Sequence, residues 1–188
     1  FRNNRELVKT LGPSNSITAV YSYYKHHRMD NLPLVKLGED AALVPQMHQG
    51  TKKNLTILVV GETSRAEDFS LSGYGRDTNP RLKQDNVVYF PQTSSCGTVT
   101  AVSVPCMFSG MARKNYDEQL AHHREGLLDI IQRAGVQVLW NENDGGCKGA
   151  CDRVPHQDVT ALNLVDDCTA GECRDDILFH GLAQYIDK

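Results

Sequence analysis

The spacing of six cysteines constrains this chain more than any other feature of its sequence. They fall in three close couples: Cys96 with Cys106, Cys147 with Cys151, and Cys168 with Cys173. Closing three short local loops is the simplest pairing, and each bridge would restrict the unfolded chain by roughly 2–3 kcal/mol. The alternative is a thiolate zinc site, but the spacing lacks two Cys-x-x-Cys knuckles. We therefore predict three disulfides and, with them, an oxidising compartment outside the cytoplasm.

The length and charge of the chain exclude several classes of protein. Its 188 residues suffice for one main core. A net charge of -3 without a basic run argues against a nucleic-acid partner. The apolar stretch at residues 57–60 is far shorter than the roughly 18–20 residues that cross a bilayer. Because the chain begins with Phe1 and ends in helical spacing, we expect a piece of a longer protein. We also expect the protein to be monomeric.

Residues 1–53 are predicted to form a helix followed by a linker. Within residues 5–28, apolar and tyrosine side chains, Tyr21 and Tyr24 among them, recur at helical spacing. Tyrosine and basic residues are also typical of a helix at a membrane surface, so this helix either lies on a bilayer or docks on the body of the protein. Residues 30–53 lose this periodicity and contain several prolines and glycines, which indicates an extended connector.

The remainder, residues 54–188, alternates predicted strands and helices. The run Leu55–Val60 is continuously apolar and β-branched, as expected of a parallel strand buried on both faces. Further strands are predicted at 87–90 and 136–140, and helices from about 79 to 85, from Leu120 to Ala134 before a stop at Gly135, and from 174 to 188. This alternation predicts an α/β fold with a mostly parallel sheet.

Glu62 directly follows the first predicted strand. Ligands of open α/β sheets lie outside the carboxyl ends of the strands, and a carboxylate fixed there suits a cation such as Zn²⁺. Ser64 and Glu67 fit a capping box for a following helix, which accounts for those two residues without any function. The capping box does not require Glu62, which is therefore a candidate metal ligand.

Residues 94–106 form a hydroxyl-rich segment that a disulfide between its two cysteines would hold in one shape. Its hydroxyls can be simple turn or cap residues. A threonine here could also act as a nucleophile, but only beside a base or a metal that favours the alkoxide. The segment alone leaves both interpretations open.

Residues 140–151 follow the third predicted strand. Gly145 and Gly146 permit close backbone approach, and Lys148, within the small loop that its neighbouring cysteines would close, could bind a phosphate as a point charge. The alternative is a solvated surface loop.

Several of these segments match one family at the same spacing. The matching residues are 60–66, Gly73-Tyr74 with Arg76-Asp77-Thr78, 95–98 and 103–109, Leu139-Trp140 with Asn143-Asp144 and Lys148-Gly149, and Glu172–Asp175. In these residues the chain resembles the catalytic domain of the lipid A phosphoethanolamine transferases, which include the mobile colistin-resistance enzymes. The resemblance covers nearly the whole chain.

The resemblance implies an alkaline-phosphatase/sulfatase-like α/β/α sandwich with a mostly parallel central sheet, of which this chain covers only part. It implies residues 1–53 as a helical bridging segment and linker, and residues 54–188 as the first part of a periplasmic catalytic domain. The domain would lie on the periplasmic face of the bacterial inner membrane, anchored by transmembrane helices that this sequence does not include.

The resemblance also implies a reaction and its residues. Thr100 aligns with the nucleophile of the family and would also contact its zinc, and Glu62 aligns with a zinc ligand. Phosphoethanolamine would pass from phosphatidylethanolamine through a covalent threonine intermediate to a phosphate of lipid A, which confers polymyxin resistance. Lys148 would face the phosphate of the donor and Asp144 its ammonium, and Thr98 is a further candidate for substrate binding.

The remaining zinc ligands of the family lie in an Asp-His-Gly-type motif and later histidines that this sequence does not contain. We therefore expect the isolated chain to bind zinc weakly and to be almost inactive. Three alternatives stay open: transfer to another periplasmic glycan, a hydrolase of the sulfatase or phosphatase type, and a non-catalytic binding module stapled by disulfides.

Overall fold

The computed structural model describes residues 16–17, 19–21, 23–24, 32–44, 53–61, 64–169 and 172–186. The chain divides into two compact units, one made of Phe1–Leu43 with Val104–Lys188 and the other of Val44–Ser103. The helices are α1 (Pro80–Gln84), α2 (Thr100–Phe108), α3 (Glu118–His122), α4 (Leu127–Arg133) and α5 (Leu182–Ile186), and the strands are β1 (Trp140–Glu142), β2 (His156–Asp158), β3 (Cys168–Thr169) and β4 (Glu172–Cys173). Residues 16–17, 19–21 and 23–24 are also helical, in agreement with the predicted N-terminal helix, and the side chains of Tyr21, Tyr23 and Tyr24 are exposed.

The core of the larger unit surrounds a short parallel pair. Strand β1 pairs with β2 in the register Trp140 to His156, and the ring of Phe108 packs edge-on against Trp140 at 5.4 Å between centroids. Ile177 and Val159 are almost completely buried beside these strands. The predicted third strand at 136–140 is wrong in its bounds, because only Trp140 of that range pairs with another strand. The preceding residues still reach the core, since the Tyr185 hydroxyl donates to the Val138 carbonyl over 3.1 Å.

The single long helix predicted up to Gly135 is instead two helices, α3 and α4. Between them the chain is extended and pairs with Val35, whose N–H donates to the His123 carbonyl over 2.8 Å and whose carbonyl accepts from the Glu125 N–H over 2.9 Å. Gly126 lies so close to α2 that a Cβ there would be 2.6 Å from the Phe108 carbonyl oxygen. Tertiary pairing therefore outweighs the local helical pattern at this point. Gly135 ends α4 with a φ of 96°, as its position predicted.

The connector, where the structure describes it at 32–44, is irregular as predicted but is bound to the larger unit. The Leu37 N–H donates to a Glu125 carboxylate oxygen over 2.9 Å. Arg133 of α4 donates to the Leu37 carbonyl over 2.5 Å and forms an ion pair with the same Glu125 carboxylate. Gly38, with a φ of +56°, lies against Ile130, and a Cβ there would come within 3.1 Å of the isoleucine side chain.

The smaller unit contains α1, two 3₁₀ turns and the first four residues of α2, and no strand among its described residues. The strands predicted at Leu55–Val60 and at 87–90 are therefore not seen, and their apolar side chains are largely exposed, Val59 by 78% and Val88 by 82%. An apolar run of this kind becomes a buried strand only where other strands flank it and helices cover both faces, and the described residues of this unit supply neither. The helix predicted after Asn79 is confirmed as α1.

Two further local predictions fail in their details. The capping box at Ser64 is wrong, because the 3₁₀ turn begins at Ala66 and Glu67 pairs with the Arg65 side chain over 2.6 Å. The terminal helix is broken, with a 3₁₀ helix over Asp175–Phe179 and α5 separated near Gly181, which has a φ of 73°. Left-handed backbone at that glycine stops the first helix before the second begins.

Two of the three predicted disulfides are confirmed directly: Cys147 bonds to Cys151, and Cys168 bonds to Cys173 across the β3–β4 pair. Cys96 and Cys106 are each disulfide-bonded as well, as the third predicted pairing requires. None of the helices in the described part of the chain has the length and apolar character needed to cross a membrane.

Candidate functional site

The loop that follows β1 carries the predicted donor-binding residues Asp144 and Lys148. It leaves the carboxyl end of a parallel strand, which is where open α/β sheets bind ligands. Glu142, the last residue of β1, is half-buried, and its Oε2 accepts the N–H of Asp144 over 3.1 Å and that of Gly146 over 2.7 Å. The strand end therefore fixes the first turn of the loop.

The backbone of this loop is held in an unfavourable conformation. Gly145 and Gly146 have φ angles of 69° and 89°, which glycine adopts freely, but Lys148 also has a positive φ, of 52°. Left-handed backbone costs a residue with a side chain roughly 1–2 kcal/mol, so other contacts must hold Lys148 in place. The Cys147–Cys151 disulfide closes the loop around it, and the Cys151 N–H donates to the Cys147 sulfur over 3.0 Å.

Lys148 Nζ donates to the carbonyl oxygen of Gly145, which keeps the ammonium over its own loop, while the Asp144 side chain is exposed. The structure thus places these two predicted residues on one loop, residues 143–155 between β1 and β2. An ammonium and a carboxylate carried on one loop are the two charges that complement a ligand with both a phosphate and an amine.

Two asparagines, one within β1 and one at the start of the loop, bind the C-terminal segment. Asn141 donates to the Leu178 carbonyl over 3.0 Å, and Asn143 donates to the Asp175 carboxylate over 2.9 Å. A cavity of about 540 Å³ opens beside the loop, with Lys148, Glu142 and His156 among its lining residues. A cavity of this size takes a small ligand or the head group of a larger one.

The predicted nucleophile, Thr100, is the first residue of α2 and is half-buried. The N–H groups of Val102 and Ser103 both donate to the Val99 carbonyl over 3.0 Å, which fixes the first turn of the helix around Thr100. A helix N-terminus favours negative charge, as a phosphoryl group would bring. Thr98 lies in the bend before the helix and is exposed.

Gly97, three residues before Thr100, lies in close contact with the side chain of Val102. A Cβ at Gly97 would lie 2.9 Å from Cγ1 of Val102, so only glycine fits without a shift. Ser95 adds a local turn, since its hydroxyl donates to the Gly97 carbonyl over 2.7 Å. The backbone that leads into α2 is therefore restricted to one conformation.

Glu62, the predicted zinc ligand, lies outside the described residues. Within the described part of the chain, the one group with the spacing of a metal site is Cys147, Cys151 and Asp152. Its two cysteines form a disulfide, and a disulfide offers no thiolate to a metal. This agrees with the predicted disulfide and argues against the thiolate zinc alternative at these positions.

Two buried carboxylates near the N-terminus of α4 were missed in the sequence. Asp129 pairs with Arg153 through two contacts of 2.7 and 2.9 Å, and the Gly126 N–H donates to it over 2.7 Å. Burial alone would raise the pKa of Asp129, but these hydrogen bonds outweigh it and lower the pKa, and the pairing raises the pKa of Arg153. The pKa of Glu125 is lowered by the hydrogen bond from the Leu37 N–H and by the Arg133 side chain.

Glu142 was missed as well, although a signal for it was present. The reasoning that selected Glu62, a carboxylate directly after a predicted strand, applies equally to Glu142. Glu125 and Asp129 lacked such a signal, because their partners are 88 and 24 residues away in the chain.

A known protein family matches most of this chain. The family model described as Sulfatase matches residues 54–188, so the chain belongs to the sulfatase family. This confirms the predicted fold class, and the match begins at the residue where we place the start of the catalytic part. The division of residues 1–53 into helix and linker stays a prediction.

Within that family, the chain is a relative of the phosphoethanolamine transferases, as its motifs predicted. It is 70% identical over 187 residues to phosphoethanolamine transferase EptA of Salmonella typhimurium, covering 100% of this chain and 34% of that protein. It is 40% identical over 142 residues to phosphatidylethanolamine transferase Mcr-2 of Escherichia coli, covering 72% of this chain and 26% of that protein.

A solved structure agrees with these relatives. The integral membrane lipooligosaccharide phosphoethanolamine transferase A of Neisseria meningitidis matches with a TM-score of 0.88 and 46% identity, over 100% of this chain and 35% of that chain. The chain thus spans about a third of the length of the relatives it matches.

Proposed function

We propose that this chain is part of a phosphoethanolamine transferase that moves phosphoethanolamine from phosphatidylethanolamine to a phosphate of lipid A. The 70% identity to EptA over the whole chain is the observation that carries the proposal. Lys148 and Asp144, both on the loop after β1, support it, because the transferred group carries one phosphate and one amine.

In the proposed reaction Thr100 is the nucleophile. Its Oγ forms a bond to the phosphorus of the donor, the bond from phosphorus to the glycerol oxygen breaks, and the proton from Thr100 ends on the released diacylglycerol. A phosphate oxygen of lipid A then bonds to the phosphorus of the adduct, the bond from phosphorus to the Thr100 Oγ breaks, and the proton of the lipid A phosphate ends on that Oγ, which regenerates the hydroxyl. The N-terminus of α2 supports this role, because its dipole stabilises the anionic phosphoryl group as it approaches.

Glu62 and Thr100 would hold a zinc ion in this proposal. A carboxylate and a hydroxyl are oxygen donors that zinc accepts, so these residues fit part of a site, and further ligands must complete it. When bound, zinc supplies positive charge that favours the deprotonated threonine.

Binding of the head group would fall to the loop after β1. Lys148 would contact the donor phosphate and Asp144 the ammonium, and Thr98, in the bend before α2, is a further candidate contact. The Cys147–Cys151 disulfide holds Lys148 in place, so little ordering remains when the donor binds.

We place the enzyme on the periplasmic face of the inner membrane, where it would confer polymyxin resistance. The disulfides support an oxidising compartment. The exposed tyrosines of the N-terminal helix support contact with a membrane surface.

The match to the Sulfatase family favours a second candidate, a hydrolase in which water resolves the threonine adduct. Product analysis separates the two candidates. Incubation with phosphatidylethanolamine alone would release free phosphoethanolamine from a hydrolase, whereas a transferase would modify lipid A when it is present.

The direct test is mass spectrometry of a protein of the relatives' full length after incubation with phosphatidylethanolamine and zinc. We expect a phosphoethanolamine adduct on the peptide that contains Thr100, lost when lipid A is added. Thr100→Ala should abolish both the adduct and the transfer. An unmodified Thr100 in folded, zinc-loaded protein that still transfers would show that another residue is the nucleophile.

A further inference from the structure

We propose that Glu142 is a positioning residue for Lys148: its carboxylate holds the loop after β1 in the one shape that presents the lysine ammonium to the donor phosphate. This inference rests on the proposed function, because it assigns Glu142 a part in binding the same head group. It adds a residue that does not itself contact the substrate.

The position of Glu142 gives it the necessary rigidity. It is the last residue of β1, where its backbone is in register with Asp158 of β2, and it is half-buried. From this fixed point one carboxylate oxygen accepts two backbone N–H groups, at Asp144 and Gly146. A charged acceptor strengthens both hydrogen bonds relative to a neutral one.

The conformation of the loop shows why such an anchor is needed. Between Glu142 and Gly149 the chain passes through four residues with positive φ: Gly145, Gly146, Lys148 and Gly149. Glycines adopt this backbone freely, so they make the loop pliable unless something else fixes it. A lysine in the left-handed region persists only where its surroundings determine it.

Two contacts in the loop supply this constraint. The disulfide joins Cys147 to Cys151 and encloses Lys148. Glu142 ties down the side before it, including Gly145, whose carbonyl accepts from Lys148 Nζ. Without Glu142, the backbone N–H groups on both sides of Gly145 lose their acceptor, the contact of Asn143 with Asp175 holds only the start of the loop, and the ammonium loses its fixed direction.

The test measures transfer kinetics in a protein of the relatives' full length, with phosphatidylethanolamine in mixed micelles as the varied donor. Glu142→Ala removes the acceptor, and we expect it to raise KM for the donor by about tenfold with kcat changed less than about twofold. Glu142→Gln keeps an oxygen that accepts both N–H groups, so we expect a KM within about threefold of the parent value. Glu142→Leu replaces the alanine variant if that variant fails to fold.

The decisive comparison is a double-mutant cycle with Lys148→Ala. If Glu142 acts through Lys148, the double variant binds the donor no more weakly than Lys148→Ala alone. Asp117→Ala is the matched control, because that carboxylate also accepts a backbone N–H, from Leu120 over 3.0 Å, but at the start of α3. We expect no change in KM from it.

Failure of this inference is distinct from failure of the proposed function. If Lys148→Ala raises KM but Glu142→Ala does not, or if their effects simply add, Glu142 does not position Lys148 although the head-group site stands. If Lys148→Ala leaves KM unchanged, the proposed head-group site is itself wrong.

Discussion

The carboxylate of Glu125 and the guanidinium of Arg133 form an ion pair that encloses the connector. The side chain of Glu125 is only 9% exposed. Its carboxylate accepts the N–H of Leu37, and the guanidinium of Arg133 donates to the Leu37 carbonyl. Both backbone polar groups of one connector residue are therefore bound by side chains of the larger unit. The connector enters this unit at a defined place rather than as a loose tether.

The first prediction concerns release of the connector by Glu125→Ala. Removing the carboxylate leaves the Leu37 N–H without its acceptor and Arg133 without its partner, so the segment around Lys36 should open more often. We expect tryptic cleavage after Lys36, which is exposed, to accelerate by about tenfold. Limited proteolysis followed by mass spectrometry measures this rate.

Asp129→Asn is the control for this experiment. It weakens the neighbouring pair with Arg153 and leaves the connector contacts in place. The cleavage rate after Lys36 should then stay near the parent value. Equal rates after Lys36 in the parent and in Glu125→Ala would contradict the role given to Glu125.

A second prediction follows from the lowered pKa of Glu125. Its ordinary value is 4.5, and the N–H of Leu37 and the Arg133 side chain hold its pKa below that value in the folded protein. When the pKa of a carboxyl group is lower in the folded protein than in the unfolded protein, its ionised form stabilises the folded state. That stabilisation is complete above the unfolded pKa and is lost as the pH falls through the folded pKa. Attachment of the connector should therefore be constant near neutral pH and weaken below about pH 4.5.

Hydrogen exchange of the Leu37 amide, divided by its intrinsic rate at each pH, measures this attachment. Protection should fall on acidification in the parent protein and vary little with pH in Glu125→Gln. The Ala41 amide is an internal control, because it donates to the Gly38 carbonyl and no titrating group is its acceptor. Parallel loss of protection at both amides would indicate general acid unfolding instead.

The elements around the connector show which parts of the fold the sequence could predict and which it could not. Local patterns correctly indicated the cysteine couples, α1 and the stop at Gly135, because each depends on residues close together in the chain. The break between α3 and α4 depends on Val35, which lies about 90 residues earlier and pairs with the extended segment there. No local pattern carries that information.

The sequence also did not show which apolar segments are buried. The run Leu55–Val60 has the composition of a buried strand, yet a strand forms only when neighbours complete its hydrogen bonds. At the site, the sequence made Lys148 a candidate phosphate contact and the resemblance to a family added Asp144, and the structure places the two residues on one loop. The hydrogen bonds of Glu142 to that loop depend on its backbone path, which composition does not specify.

A third prediction compares the two short disulfides as a matched pair. Cys147–Cys151 and Cys168–Cys173 close loops with sequence separations of 4 and 5, so loop entropy gives each about 2 kcal/mol of stability. Replacing either pair with serines should lower the free energy of unfolding by this similar amount. Only the first replacement should also raise KM for the donor, because only that disulfide encloses Lys148.

Denaturant unfolding and transfer kinetics on the same preparations check this comparison. The second pair acts as the control for general loss of stability. If both replacements raise KM equally, the effect comes from stability and not from the position of Lys148.

The fourth prediction concerns Gly97, which precedes the proposed nucleophile by three residues. An alanine Cβ there would meet Val102 Cγ1 at 2.9 Å and its Cβ at 3.3 Å, so something must shift, and we expect Gly97→Ala to displace the start of α2. Overpacking of this kind costs about 1–3 kcal/mol, and a displaced Thr100 should lower kcat by at least about tenfold. Adding Val102→Ala removes the Cγ1 contact and should restore most of kcat, whereas Val102→Ala alone should have a small effect. Transfer rates of the four proteins decide the matter: a double variant no faster than Gly97→Ala would show that contact with Val102 is not what places Thr100.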